Sequence, residues 1–180
     1  MILVPIGEFP MELLDSLSKR AGIPLGPQRV EPAGAWNPSR SQYDSNRLLA
    51  ELKAQYQGEV MGATACDLFI PVLTFVFGQA QLRGRAAVIS LARLRPEFHG
   101  LRPDPQLVAR RALKEAVHEV GHTFGLVHCL DRRCPMALSL GLDDLDFKTA
   151  TPCASCAALL RDSLAMSDRR GRPSPTGARP

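Results

Sequence analysis

Apolar positions along the first half of the chain alternate between short unbroken runs and runs spaced by threes and fours. ILVPI, residues 2–6, is unbroken and predicts a buried strand. Pro10 then opens a stretch with Met11, Leu14 and Leu17 on one face, which predicts a helix to Arg20. AGIPLGP ends it. Residues 28–32 read as a second strand, and PAGAWNPSRSQYD, residues 32–44, reads as loop. Helical spacing returns at Leu48, Leu49 and Leu52, which predicts a helix over 46–56 stopped by Gly58.

DLFIPV, residues 67–72, predicts a central strand, with Pro71 marking its end or a bulge. LTFVFGQAQLRGRAAVISLARL, residues 73–94, reads as strand, irregular turn and strand, with Arg83 and Gly84 near the reversal. Residues 96–105 form a connection. From 106 to 124 the apolar residues Ala109, Leu113, Val117, Val120 and Phe124 predict a long helix with one apolar face. Glycine, proline and cysteine dominate beyond it, with a short helix expected over 155–165. DRRGRPSPTGARP, residues 168–180, has nothing to bury and is expected to be disordered.

Composition narrows the class. The 180 residues suffice for one compact domain and a small appended lobe, and 45% hydrophobic content supports a core. A net charge of +4 is modest and scattered, and no basic stripe interleaves with aromatics, so no nucleic-acid partner is expected. No run approaches the roughly 20 apolar residues of a membrane span. MILVPIGEFP lacks a basic leader and a cleavage site, so it reads as a first strand rather than a signal peptide. The expected compartment is the cytoplasm, where five cysteines favour thiols or metal ligands over disulfides.

Three of the four histidines lie within HEVGHTFGLVH, residues 118–128. His118 and His122, four apart on a helix, share one face one turn apart and reach a single ion. Glu119 points about 100° round the axis and reaches the ion's open side. Gly125 can take a positive φ and end the helix, so that the chain turns back and delivers His128 as a third ligand. Three neutral nitrogens leave one position for water, acidified towards a pKa of about 7. Glu119 then serves as general base for peptide hydrolysis. A lone H-E-x-x-H also arises by chance, with the histidines as ordinary helix residues. The full eleven-residue spacing argues for metal.

Cys129 and Cys134 frame four residues, and Cys153 and Cys156 frame two. Two knuckles joined by a loop suit tetrahedral thiolate binding of a structural zinc. Two disulfides, or an iron–sulfur cluster, are the competing readings. Because Cys129 follows His128, a metal on the cysteines would brace the backbone that presents the third histidine. Cys66 reads as a buried thiol, Met136 as a hydrophobic floor under the imidazoles, and His99 as exposed. Asp143, Asp144 and Asp146 read as solvated loop charges.

HEVGHTFGLVH with a methionine close behind resembles the metzincin metallopeptidases, and CLDRRCPM with CASC resembles, more closely, the archaemetzincin family. The likeness spans about residues 1–165, and the tail matches nothing. The 16 residues 137–152 between methionine and third cysteine are one fewer than in the family pattern. That resemblance implies a catalytic zinc on His118, His122 and His128, with Glu119 as general base. It also implies Met136 as the residue of the family's methionine turn, and a second zinc on Cys129, Cys134, Cys153 and Cys156. The implied fold is α/β (α+β): a twisted mixed sheet with an antiparallel edge strand, backed by two long helices. A zinc-stapled C-terminal subdomain closes it.

Residues 1–128 would form the catalytic core, 129–167 the subdomain and 168–180 the tail. The implied partner is a small or unstructured peptide lying as an extra strand along an edge within residues 78–91. With no inhibitory pro-segment read in the sequence, cleft shape is expected to restrain access. Against this zinc peptidase stands a catalytically silent zinc protein that binds peptides or uses the histidine metal structurally. Glu119 argues against it, since metal binding alone does not need that carboxylate. A nucleic-acid module on the cysteine cluster is disfavoured by the region's acidic balance.

Overall fold

The structure, a computed structural model, describes residues 1–32 and 34–171. Its first half runs β1 (Ile2–Ile6), α1 (Met11–Ala21), β2 (Trp36–Asn37), β3 (Gln42–Asp44), α2 (Ser45–Gln55) and β4 (Val60–Thr64). Then come β5 (Leu68–Ile70), β6 (Leu73–Val76), β7 (Gly78–Ala80), β8 (Ala86–Ser90) and a 3-10 turn (Pro96–His99). Helices α3 (Pro105–Thr123), α4 (Leu142–Phe147) and α5 (Ala154–Gly171) complete the chain.

The main sheet has the order β1-β4-β8-β7. Its first three strands are parallel, and β7 runs antiparallel to β8 at the edge. Helices cover both faces, as parallel strands require. On one face Leu3, Met61, Ala87 and Ile89 meet Leu14 and Leu17 of α1 and Val108, Ala112 and Ala116 of α3. On the other, Val4, Ile6, Val60 and Val88 meet Leu48, Leu49 and Leu52 of α2. The expected mixed sheet with an antiparallel edge is therefore present, and its helices are shared between two faces. Of the candidate edge within residues 78–91, the first half is the edge.

Several expectations need correction. Strand β4, VMGAT, escaped the hydrophobic pattern because Gly62, Ala63 and Thr64 interrupt its apolar run. A Cβ on Gly62 would sit 2.3 Å from Ile6 Cδ1 and 3.1 Å from Leu52 Cδ1, so β1 and α2 press too closely for a side chain. Residues 28–32 make only an isolated bridge, Val30 to Ile6. The supposed loop 32–44 contains a hairpin, β2 with β3, closed by Trp36 edge-on to Tyr43. Strand β5 is interior to a second sheet, β2-β3-β5-β6, rather than central in the main one.

The aspartates 143, 144 and 146 lie on α4 rather than in a loop. Asp146 takes a bidentate pair from the buried Arg111, at 2.8 and 2.5 Å, and Asp144 faces Arg132 at 3.5 Å. Helix α5 runs on through residues 168–171, which were expected to be disordered. The rest of that tail lies outside the described residues.

Candidate metal centre

Helix α3 starts where Asp104 accepts a hydrogen bond from Leu107 N–H at 2.9 Å, with Pro105 in the first turn. Its most buried stripe differs from the one the large apolar residues indicated. Val108, Ala112 and Ala116 face the sheet, whereas Leu113, Val117 and Val120 are only half-buried. Beside that stripe Glu115, His118 and Glu119 are buried too, between 4 and 7% exposed. Polar groups this deep need partners.

The helix ends in a Schellman motif. Gly125 has φ +92°, Gly125 N–H donates to His122 O, and Leu126 N–H donates to Gly121 O. The Leu126 carbonyl thereby turns back and accepts from His122 Nδ1 at 2.7 Å. His118 Nδ1 donates to Pro135 O at 2.8 Å. A carbonyl only accepts, so both rings carry their proton on Nδ1. Their bare Nε2 atoms then face each other at 3.0 Å. His128 closes the group, its ring centroid 5.3 Å from that of His118 and 5.1 Å from that of His122. Three ligand nitrogens, one from each ring, lie within 4.8 Å of one another.

Burial pushes His118 down to about 3 and lowers His122 and His128 as well, so the imidazoles are neutral near pH 7. Met136, 1% exposed, lies beneath them. A Cβ on Gly121 would meet its sulfur at 2.3 Å, so the single glycine of HEVGH makes the room that seats the methionine.

Glu115 lies one turn before Glu119 on α3, and both are buried. Burial, and then the neighbouring carboxyl, hold Glu119 well above the usual carboxylate range, and burial pushes Glu115 up to about 7. Lys148 is the nearby counter-charge. Sequence reasoning missed both Glu115 and Lys148. Helical periodicity could have revealed the first, which lies four before Glu119, while nothing in the sequence marked the second.

A folded-state pKa above the unfolded one means that Glu115 contributes stability in full below its ordinary 4.5 and loses it as pH rises through about 7. Glu115→Gln is therefore expected to flatten the pH dependence of Tm across that window. Thermal melts of metal-free parent and variant from about pH 4 to 8 check it. Parallel curves would deny Glu115 this role.

The site opens into a cleft of about 460 Å³ between β6–β7 and the 138–140 segment. Its lining is mainly apolar, including Leu73, Phe75, Leu138 and Leu140, with the histidines, Glu115, Glu119 and Lys148 converging inside. A larger cleft of about 750 Å³ lies behind the Gly125 turn, with Lys53, Arg83 and Arg85 in its wall. Its Arg85 donates to the carbonyls of Lys53 and Tyr56 at the end of α2, which accounts for the charge there.

Gly78 of the edge strand shapes the smaller cleft. A Cβ there would lie 2.8 Å from Glu119 Cγ and Oε1 and 2.9 Å from Val88 O. Gly78→Ala is expected to cost about 1–3 kcal/mol and to lower activity by displacing Glu119, with zinc retained. Unaltered kinetics and Tm would show that the edge yields without moving Glu119.

The four cysteines of the two knuckles form a second cluster, their sulfurs all within 4.8 Å of one another. Cys129 and Cys153 sulfurs are 3.8 Å apart. A disulfide needs about 2.05 Å, whereas thiolates on a tetrahedral zinc sit about 3.8 Å apart. The cluster packs on Leu126 and Met136, and Cys129 N–H donates to Met136 O at 2.9 Å. Cys66 is half-buried and outside this group, and His99 is exposed, its ring bonded to Arg93 O. Among the described residues no helix is long and apolar enough to cross a membrane.

Known proteins resemble this chain in sequence and fold. The sequence profile of peptidase family M54 matches residues 12–162. An archaemetzincin of Methanocaldococcus jannaschii is 42% identical over 163 residues, 88% of this chain and 90% of that protein. The crystal structure of an archaemetzincin from Methanopyrus kandleri superposes with a TM-score of 0.78 at 37% identity, covering 92% of this chain and 96% of the other. A zinc-dependent peptidase from Methanocorpusculum labreanum gives 0.76 at 28% identity, over 89% of this chain and all of that one. The chain belongs to peptidase family M54, the archaemetzincins, and is a metallopeptidase.

Proposed function

We propose that this chain hydrolyses peptide bonds with a zinc ion held by His118, His122 and His128 and with Glu119 as general base. The observation that carries it is the pair of bare Nε2 atoms facing each other at 3.0 Å. Two lone pairs at that distance repel unless a cation lies between them. Nitrogens on a tetrahedral zinc lie about 3.3 Å apart. When bound, zinc supplies Lewis acidity that acidifies water and polarises the scissile carbonyl. Glu119 takes the water's proton and passes it to the leaving amine. Gly78 brings Glu119 against the edge strand, where an extended peptide pairs with the free side of β7. The apolar walls of the cleft exclude water from the reacting groups.

Cys129, Cys134, Cys153 and Cys156 hold a second, structural zinc in this reading. The chain then divides after His128 into a catalytic core and a cysteine-stapled subdomain over 129–167. Cysteines serving as metal ligands rather than disulfides suit a cytoplasmic protein in this reading. Small or unstructured peptides suit a cleft of this size.

A second reading, a catalytically silent zinc protein, draws on one observation. Glu119 is only 4% exposed, with Glu115 one turn away on the same helix. Digestion of a peptide mixture, read by mass spectrometry, separates the two. Cuts made by the zinc-loaded protein and not by Glu119→Ala support the peptidase and give its specificity. No cuts by either protein, with zinc on the histidines, support the silent reading.

A further inference from the structure

We infer that Lys148 is a positioning residue for the histidine site: its buried ammonium pins the 135–137 turn that orients His118 and seats Met136. The inference rests on the proposed metal role of the histidines. Lys148 is 4% exposed and follows the last residue of α4. Its Nζ donates to Pro135 O at 3.3 Å and to Ala137 O. Those two carbonyls flank Met136. Pro135 O also accepts the Nδ1 proton of His118, at 2.8 Å. A carbonyl has two lone pairs, so one oxygen serves both donors. The direction of that carbonyl therefore sets the His118 ring plane, and the ammonium holds the direction.

The lysine is itself held from α3. Arg111 grips Asp146 in a bidentate pair and also donates to Leu94 O, and Lys114 Nζ donates to the carbonyls of Leu145 and Asp146. Helix α4 thus works as a strut. Its C-terminal turn is fixed to the helix that carries the histidines, and Lys148, directly after that turn, delivers an ammonium back beneath them. Burial disfavours the ammonium, and the Glu115 and Glu119 carboxyls close by on α3 partly offset that cost. Without the ammonium, Ala137 O would lose its charged donor in a buried setting.

The test measures metal, not peptidase activity. Lys148→Met is expected to lower the zinc affinity of the histidine site about 10–100-fold, the usual range for a group that orients a metal ligand. Zinc on the cysteines should be unaffected. Chelator competition reads both sites, and cobalt in the histidine site should show shifted visible bands while the thiolate–cobalt bands stay put. Lys148→Met with Glu115→Gln removes the charge imbalance, guards against simple misfolding, and is expected to keep the weakened affinity. Parental affinity and spectrum in Lys148→Met, or their recovery in the double variant, would overturn the positioning role. A parent protein that binds no zinc at the histidines would instead overturn the metal reading, and this inference with it.

Discussion

Replacing Glu119 with Gln is expected to leave zinc on the histidines and to lower kcat roughly a hundred- to ten-thousand-fold, the range that a general base contributes. The amide keeps the shape of the carboxylate and still fills the space beneath Gly78. It cannot take a proton from water. Glu119 is not among the three converging nitrogens, so metal content should be unchanged. KM should also change little, because the peptide is held along β7 and by the apolar cleft walls. Steady-state kinetics on a cleaved peptide, with zinc content of parent and variant, check this. A kcat close to the parent's would remove Glu119 from the chemistry.

Loss of a cysteine ligand is expected to be more damaging to the fold than to the histidines themselves. Structural zinc supplies about 10–16 kcal/mol in small zinc-bound peptides. That matches or exceeds the roughly 5–15 kcal/mol that holds a whole domain together. The cysteine cluster has little else, since its apolar contacts are Leu126, Phe124, Met136 and Leu160. Cys134→Ser should therefore lose one zinc per chain and make residues 129–165 open to proteolysis.

Activity should fall with it through geometry. His128 is bonded to Cys129, whose N–H holds Met136 O, and Met136 packs against Gly121 on the turn that carries His118 and His122. Cys129→Ser is expected to act in the same way. Zinc content, limited proteolysis and peptide turnover together read the outcome. Full turnover after loss of the cysteine zinc would sever the proposed link between the two sites.

The histidine and cysteine clusters that the fold assembles were legible because each set is written within a short stretch of chain. His118, Glu119 and His122 are fixed relative to one another by one helical turn, and Gly125 marks the turn that brings His128 back. The cysteine knuckles carry their spacing in the same way. Helices α1, α2 and α3 were readable from apolar periodicity. The reversal before β8 was readable from Arg83, which takes φ +54°, and Gly84.

What the chain's pattern did not disclose depends on residues far apart in sequence. VMGAT is a central strand because β1 and β8 pair with it on either side, and its glycine is fixed by Ile6 and Leu52, which leave no room for a side chain at position 62. The core face of α3 was misjudged because the helix is enclosed, so small alanines and functional carboxyls share its interior while larger apolar residues lie at the margin. Asp146 is exposed as read, but its pairing with Arg111, 35 positions away, appears only in the fold. Gly78 became a shaping residue only when the edge strand met Glu119, and Lys148 only when α4 was folded beneath His118. Local geometry sets the ligands and their spacing, because backbone periodicity acts within a turn or two. Tertiary packing alone decided what surrounds them, because burial and charge pairing depend on which distant segments meet.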